Sequence, residues 1–403
     1  LGTEIVIPEF ITATLGFAVF LVGARLTAKL AFLRNFNIPE PVTGGLLAAF
    51  LFGLFQALSG FDLVFSTTSR DMFLVLFFAS IGLNARISDL KAGGWLLVLL
   101  LMLTVIMIVG QNAIGVVGAT LFGFPSQSGV LFGSASLIGG HGTSIAWAPQ
   151  VAQTTGLIAA PEIGVAVATI GLVLAALVGG PIAKFLVERN SLTPSRPDEE
   201  HTVGRSHDDK EGDNPITHVN LMRVFLALNS AVVLGYLLDE AIEEIGVNLP
   251  LFVSCMVMGI IIGNVAPYFL PKDAPVSRTP SLAVISEFTL GAFLAISLMA
   301  LDIASLKGLG GPIILILGLQ MLFAVLFVIY VLFPVLGRNY RAAVLAAGFG
   351  GFSLGATPTA IANMTAVTKR YGPSPISFVV LPLVSAFFVD IANAIVIQMI
   401  VNF

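Results

Sequence analysis

Residues 351–363 read Gly-Phe-Ser-Leu-Gly-Ala-Thr-Pro-Thr-Ala-Ile-Ala-Asn, a run of glycines, hydroxyls, a proline and an amide inside an apolar stretch. Ser353, Thr357, Thr359 and Asn363 supply hard oxygen and amide groups there, with the carbonyls of Gly355 and Ala356 beside them. Hard cations prefer such oxygen donors. A helix that restarts after a break turns its positive end towards the break, which suits a carboxylate. Gly355, Pro358 and Asn363 are poor helix formers, so the sequence predicts an interruption. In lipid an unpaired backbone group is costly, so broken backbone must face protein or a water-filled cavity. A second run of this kind, Ile138-Gly-Gly-His-Gly-Thr-Ser144, lies in the first half of the chain. Two breaks in matching places predict a transporter.

Asp390 is the sharpest single residue, an acid in Phe387-Phe-Val-Asp-Ile-Ala-Asn393 within the last apolar run. A carboxylate at that depth costs about 2.5–3.5 kcal/mol on insertion scales, so it is either protonated or paired for structure, or it binds a cation. Asn393, three residues on, shares its helical face. His141 falls at the tip of the first break, where it donates to a carboxylate or relays a proton, unless it is only a satisfied structural histidine. Gly140, Gly142, Thr143 and Ser144 surround it. Gln111 and Asn112 fall deep in the fourth apolar run, and buried amides there usually bond another helix. Small residues such as Gly44-Gly45 and Gly179-Gly180 are explained by close helix packing alone. Glu162 opens the fifth run, where an acid at a helix N-terminus needs no function. Arg86 and Lys91 close the third run and are expected to snorkel. Asp239, Glu240, Glu243 and Glu244 are expected in a solvated outer loop.

These residues must be carried by membrane helices. The chain is 57% hydrophobic and 10% charged, against about 25% charged in soluble domains. The net charge of −4 does not point to nucleic acid, and the single Cys255 excludes a disulfide within one chain. Residues 1–5 lack a basic n-region, so no cleavable signal peptide is predicted there. Spans of about 20 apolar residues are read at 8–30, 43–60, 71–88, 95–122 and 162–187, then at 218–238, 249–270, 282–301, 311–336 and 374–402. The interrupted stretches 128–150 and 341–368 are predicted to be re-entrant hairpins. Residues 190–217 are the one long hydrophilic stretch and are predicted to be a flexible cytoplasmic linker. Phe77–Lys91 resembles Phe293–Lys307, and Val130-Leu131 before one break matches Val344-Leu345 before the other. The predicted fold is therefore all-α and polytopic, with two inverted repeats of five spans and one hairpin each, at 1–189 and 218–403. With the linker inside, most basic residues fall on the cytoplasmic side, and only Arg70 and Lys307 stay outside. Both termini are then outside, the first hairpin enters from outside and the second from the cytoplasm. No Walker lysine, metal-ligand cluster or intramembrane aspartyl-protease pair is seen, so neither an enzyme nor a bound cofactor is expected.

The chain resembles the glutamate:sodium symporter family of bacterial inner membranes over almost its whole length. The resemblance is carried by Ile38–Gly45, Phe77–Ala85, Gln111–Gly115, Gly139–Thr143, Ala168–Leu174, Gly179–Pro181, Leu354–Met364 and Phe387–Asn393. It implies sodium-driven uptake of L-glutamate by alternating access, a homodimer, and an elevator-like displacement of a unit that contains both hairpins. On this expectation Asp390, Asn363 and the Ala356 carbonyl hold sodium. Gly140, His141, Gly142, Thr143, Ser353, Gly355, Thr357, Thr359 and Asn393 hold the substrate. Rival readings are a sodium-coupled carrier of another small carboxylate, such as a 2-hydroxycarboxylate, and a channel. A channel lines its pore with rings of charge or carbonyls, and one acid with two opposed breaks does not make one.

Overall fold

The computed structural model describes residues 3–35, 38–85, 94–194, 216–244, 249–269 and 276–402. Most of the linker read at 190–217, and Arg86 and Lys91, lie outside these residues. Among the described residues, each of the ten expected spans is occupied by helix. In chain order they are α1 (Glu9–Lys29), α2 (Glu40–Ser59), α3 (Thr68–Asn84), α4 (Gly94–Leu121) and, after a helix α5 (Gly140–Thr155), α6 (Ala160–Arg189). The second half holds α7 (His218–Glu244), α8 (Leu251–Phe269), α9 (Pro280–Met299) and α10 (Gly310–Phe327), which a π turn continues to Val335. Then come α11 (Tyr340–Leu354), α12 (Thr357–Tyr371), α13 (Pro375–Leu383), a π turn at Val384–Phe388 and α14 (Val389–Val401). Among the described residues, seven helices are long and apolar enough to cross a membrane. The protein is an all-helical membrane protein, apart from two short parallel strands, β1 (Thr3–Ile7) and β2 (Phe61–Phe65), that the sequence reading did not foresee.

Two local differences have plain causes. Asp239 and the three glutamates do not form a loop but continue α7 to Glu244, and Asp239 accepts a hydrogen bond from Ser254 Oγ at 2.8 Å. Glutamate and alanine favour helix once the chain has nucleated one. The first broken stretch is not a pair of α-helices: Ser126–Phe132 is a 3-10 helix followed by turns up to α5. Glycines on both sides let it lie against α4: a Cβ on Gly115 of α4 would sit 2.1 Å from Gly129 O, and one on Gly129 2.4 Å from Val116 Cα.

The chain divides into two compact units, and each takes helices from both halves of the sequence. One contains the strands, α1–α3 and α7–α9. Its helices approach through small residues: a Cβ on Gly82 would lie 2.2 Å from Met256 O, and one on Gly263 2.4 Å from Leu83 O. Such close backbone approach is how membrane helices gain packing without a hydrophobic driving force. Cys255 is buried in this unit. The other unit contains α4–α6, α10–α14 and both breaks.

Candidate functional site

Asn339 caps the start of α11, and the second break forms at its other end, where Gly355 and Pro358 interrupt the helix. The Asn339 side chain accepts from Ala342 N at 2.9 Å, and α11 then runs to Leu354. Gly355 leaves the helical conformation, Ala356 is extended, and α12 starts with Pro358 in its first turn, where a missing N–H costs nothing. The first break closes at Gly140, whose φ of +66° is a left-handed conformation open to glycine. The two tips face each other: a Cβ on Gly140 would meet Gly355 O at 4.0 Å. Helix α6 runs past the second tip, with room at Gly171 for Leu354 O and at Ala175 for Gly355.

Around these tips the polar residues fall into three clusters. Asn363 on α12 is buried and donates from Nδ2 to Ala175 O at 3.0 Å and to Ala347 O at 3.5 Å. It ties α12 to α6 and α11 through Nδ2. Thr359 is fully buried, with no hydrogen-bond partner for Oγ1 among the described residues. Thr357 Oγ1 donates to Ser385 Oγ at 2.9 Å, which joins the second break to the π turn ahead of Asp390. Asp390 itself is half-buried and carries no hydrogen bond or ion pair among the described residues.

Asn393 turns to the other break. Its Oδ1 accepts from Ser134 Oγ at 2.5 Å and its Nδ2 donates to Ser134 O at 3.2 Å. Asn112 holds the same serine, donating to Ser134 Oγ at 2.7 Å and accepting from Ser134 N at 3.1 Å. His141 is buried, with Nε2 2.9 Å from Thr169 Oγ1. The Thr169 hydroxyl already donates to Val165 O at 2.8 Å, so His141 must donate from Nε2. Its Nδ1 then accepts, and only a protonated ring offers a second donor to a carboxylate.

A third cluster braces the breaks crosswise. Gln111 on α4 donates from Nε2 to Ser353 O, at the end of α11, at 2.6 Å. Gln320 on α10 donates from Nε2 to Gln111 O at 2.7 Å and to Phe132 O, at the end of the 3-10 helix, at 2.9 Å. Both glutamines are fully buried.

A family model described as sodium/glutamate symporter matches residues 5–373. The chain belongs to the sodium/glutamate symporter family. It is 39% identical over 382 residues to the sodium/glutamate symporter of Escherichia coli (strain K12), covering 94% of each chain. It is 37% identical over 384 residues to that of Haemophilus influenzae, covering 95% of this chain and 94% of the relative. A solved sodium proton antiporter from Methanocaldococcus jannaschii aligns over 98% of both chains at 14% identity and a TM-score of 0.46, too loose a likeness to argue from. The symporter family is one of transporters, not enzymes, so the absence of catalytic motifs in the sequence fits its membership.

Within this symporter-family chain the expected residues are brought to one unit but not to one cluster. Gly140 and Gly355 meet tip to tip, while Asn393 serves the first break and Thr357 the second. Ser353 contributes its carbonyl, and its hydroxyl donates back to Gly350 O at 3.2 Å. Ser134, Thr169, Ser385 and Gln320 went unremarked in the sequence reading. Gln320 had a visible signal, a lone amide in the apolar run 310–327. The three hydroxyl residues had none, because serine and threonine occur throughout such helices.

Proposed function

We propose that this protein takes up L-glutamate together with sodium across a bacterial inner membrane. The observation that carries the reading is the family match along nearly the whole chain. Glutamate is a net monoanion, and the membrane potential opposes its uptake by about 2.3 kcal/mol per 100 mV. Cotransport with more than one sodium ion reverses the net charge moved and makes accumulation downhill. Asp390, the Asn363 Oδ1 and the Ala356 carbonyl hold sodium. Gly140, Gly142, Gly355 and the helix ends beside them hold the substrate carboxylates, with Thr143, Ser353, Thr357 and Thr359 supplying polar contacts. His141 and Asn393 position the first tip for that task.

The two halves are inverted repeats, and the broken segments are re-entrant hairpins that enter from opposite faces. The unit that carries both hairpins is the moving one, in an elevator-like cycle, and the other unit serves as scaffold and dimer contact. Both termini lie outside and the linker is cytoplasmic. Proteoliposomes loaded with potassium and placed in sodium should accumulate labelled glutamate, and counterflow should persist without a gradient. Malate, citrate and aspartate should compete weakly. Accumulation without sodium refutes the coupling, strong competition by malate or citrate favours the 2-hydroxycarboxylate carrier, and loss of counterflow favours a pore.

A further inference from the structure

We propose that the side-chain oxygens of Gln111 and Gln320 are ligands of a sodium ion seated between the two breaks, apart from the Asp390 turn. The proposal rests on the sodium-coupled reading above and adds a place for one of the ions.

The orientation of both amides is fixed by their neighbours. Each Nε2 faces backbone carbonyls, Ser353 O for Gln111, and Gln111 O with Phe132 O for Gln320. A carbonyl only accepts, so flipping either amide would set oxygen against oxygen. Each Oε1 must therefore point away from those bonds. Both oxygens are buried, and among the described residues neither has a hydrogen-bond partner. A buried acceptor left unmet is costly, and native proteins rarely tolerate it without a ligand or an ordered water.

The neighbourhood is rich in oxygen and poor in anything else a metal would take. Phe132 O and Ser353 O each keep a second lone pair beyond the bond they accept. Among the described residues no group of three His, Cys, Asp or Glu stands ready for a metal, so a softer transition ion finds no ligand set. Neutral amide and carbonyl oxygens suit a hard monovalent cation that must be released in every cycle. The cluster also joins the breaks: the first half's glutamine braces the second break, and the second half's glutamine braces the first. An ion held here draws both breaks together, which is the coupling a symporter needs between ion and substrate.

The test uses the full chain in proteoliposomes, with Gln111→Leu, Gln320→Leu and Gln111→Glu. A protonated glutamate keeps a donor towards Ser353 O and an oxygen on the other side. Each leucine variant that still binds glutamate at saturating sodium should raise the half-saturating sodium concentration about tenfold. It should also lower the Hill coefficient for sodium, and Gln111→Glu should restore both. Unchanged sodium affinity and Hill coefficient in a glutamate-binding leucine variant overturn the proposal and leave water as the occupant. Should the leucine variants fail to fold, thallium soaked into the wild-type protein as a sodium surrogate decides. An anomalous peak in coordinating range of either Oε1 supports the site, and water alone there overturns it. A wild type that transports glutamate without sodium defeats the underlying reading as well.

Discussion

Asp390 has no hydrogen bond or ion pair among the described residues, and Asn393, one turn on, is engaged by Ser134. A membrane-depth carboxylate without a fixed partner is built to meet a mobile one. Asp390→Asn should therefore abolish sodium-stimulated glutamate uptake in proteoliposomes, by about a hundredfold or more, the effect of losing a buried charge contact of about 3 kcal/mol. The variant should still purify as a folded protein, because among the described residues the wild-type side chain makes no hydrogen bond or ion pair that the asparagine would lose. Wild-type uptake and sodium affinity in this variant refute the assignment. His141 belongs to a different category of residue. Its donation to Thr169 orients the first tip, so its loss should loosen substrate binding through geometry, not through charge.

At the scale of elements, the breaks depend on glycines that admit a neighbour's polar atoms. Gly179 and Gly180 are adjacent on α6, yet they differ sharply. A Cβ on Gly179 would fall 2.2 Å from Asn363 Nδ2, while one on Gly180 would meet nothing within 4 Å. Gly179→Ala must displace Asn363 from Ala175 O, at a cost of about 1–3 kcal/mol for an overpacked site. Gly180→Ala should be neutral or slightly stabilising, since alanine favours the helix. The paired melting temperatures in detergent check this: equal values for the two variants would mean that Asn363 does not clamp α12 to α6. The sequence reading assigned both glycines to close helix packing. That holds for Gly179 and fails for Gly180, because which side of α6 meets α12 depends on tertiary packing and not on the dipeptide. The same limit explains the first break. Its glycine-serine composition announced an interruption, but the 3-10 path follows from the backbone of α4 beside Gly115 and Gly129, which no local pattern encodes. Helix spans and the positions of both breaks were legible, because apolar runs and helix-breaking residues act locally. The partners of Asn393, Gln111 and Gln320 were not, since each bond joins residues more than 180 positions apart.

For the molecule as a whole, the decisive property is whether each broken segment returns to the side it came from. A segment that crosses the bilayer once leaves its two ends on opposite faces, and a re-entrant one leaves them on the same face. Both segments offer exposed ends for this test: Ser126 and Ile158 flank the first, and Arg338 and Lys369 flank the second. The background is favourable, because Cys255 is the chain's one cysteine and is buried, so an impermeant thiol reagent should leave it untouched. Single cysteines at Ser126 and Ile158 should both react in right-side-out vesicles. Those at Arg338 and Lys369 should both react only in inside-out vesicles. Opposite labelling within either pair turns that segment into a full span, changes the number of crossings and removes the inverted symmetry. Matched labelling within each pair, on opposite faces for the two pairs, places two oppositely entering tips where Gly140 meets Gly355. A substrate held at that meeting point is shielded from each side by a different hairpin, and movement of the unit that carries both would then expose it to one face at a time.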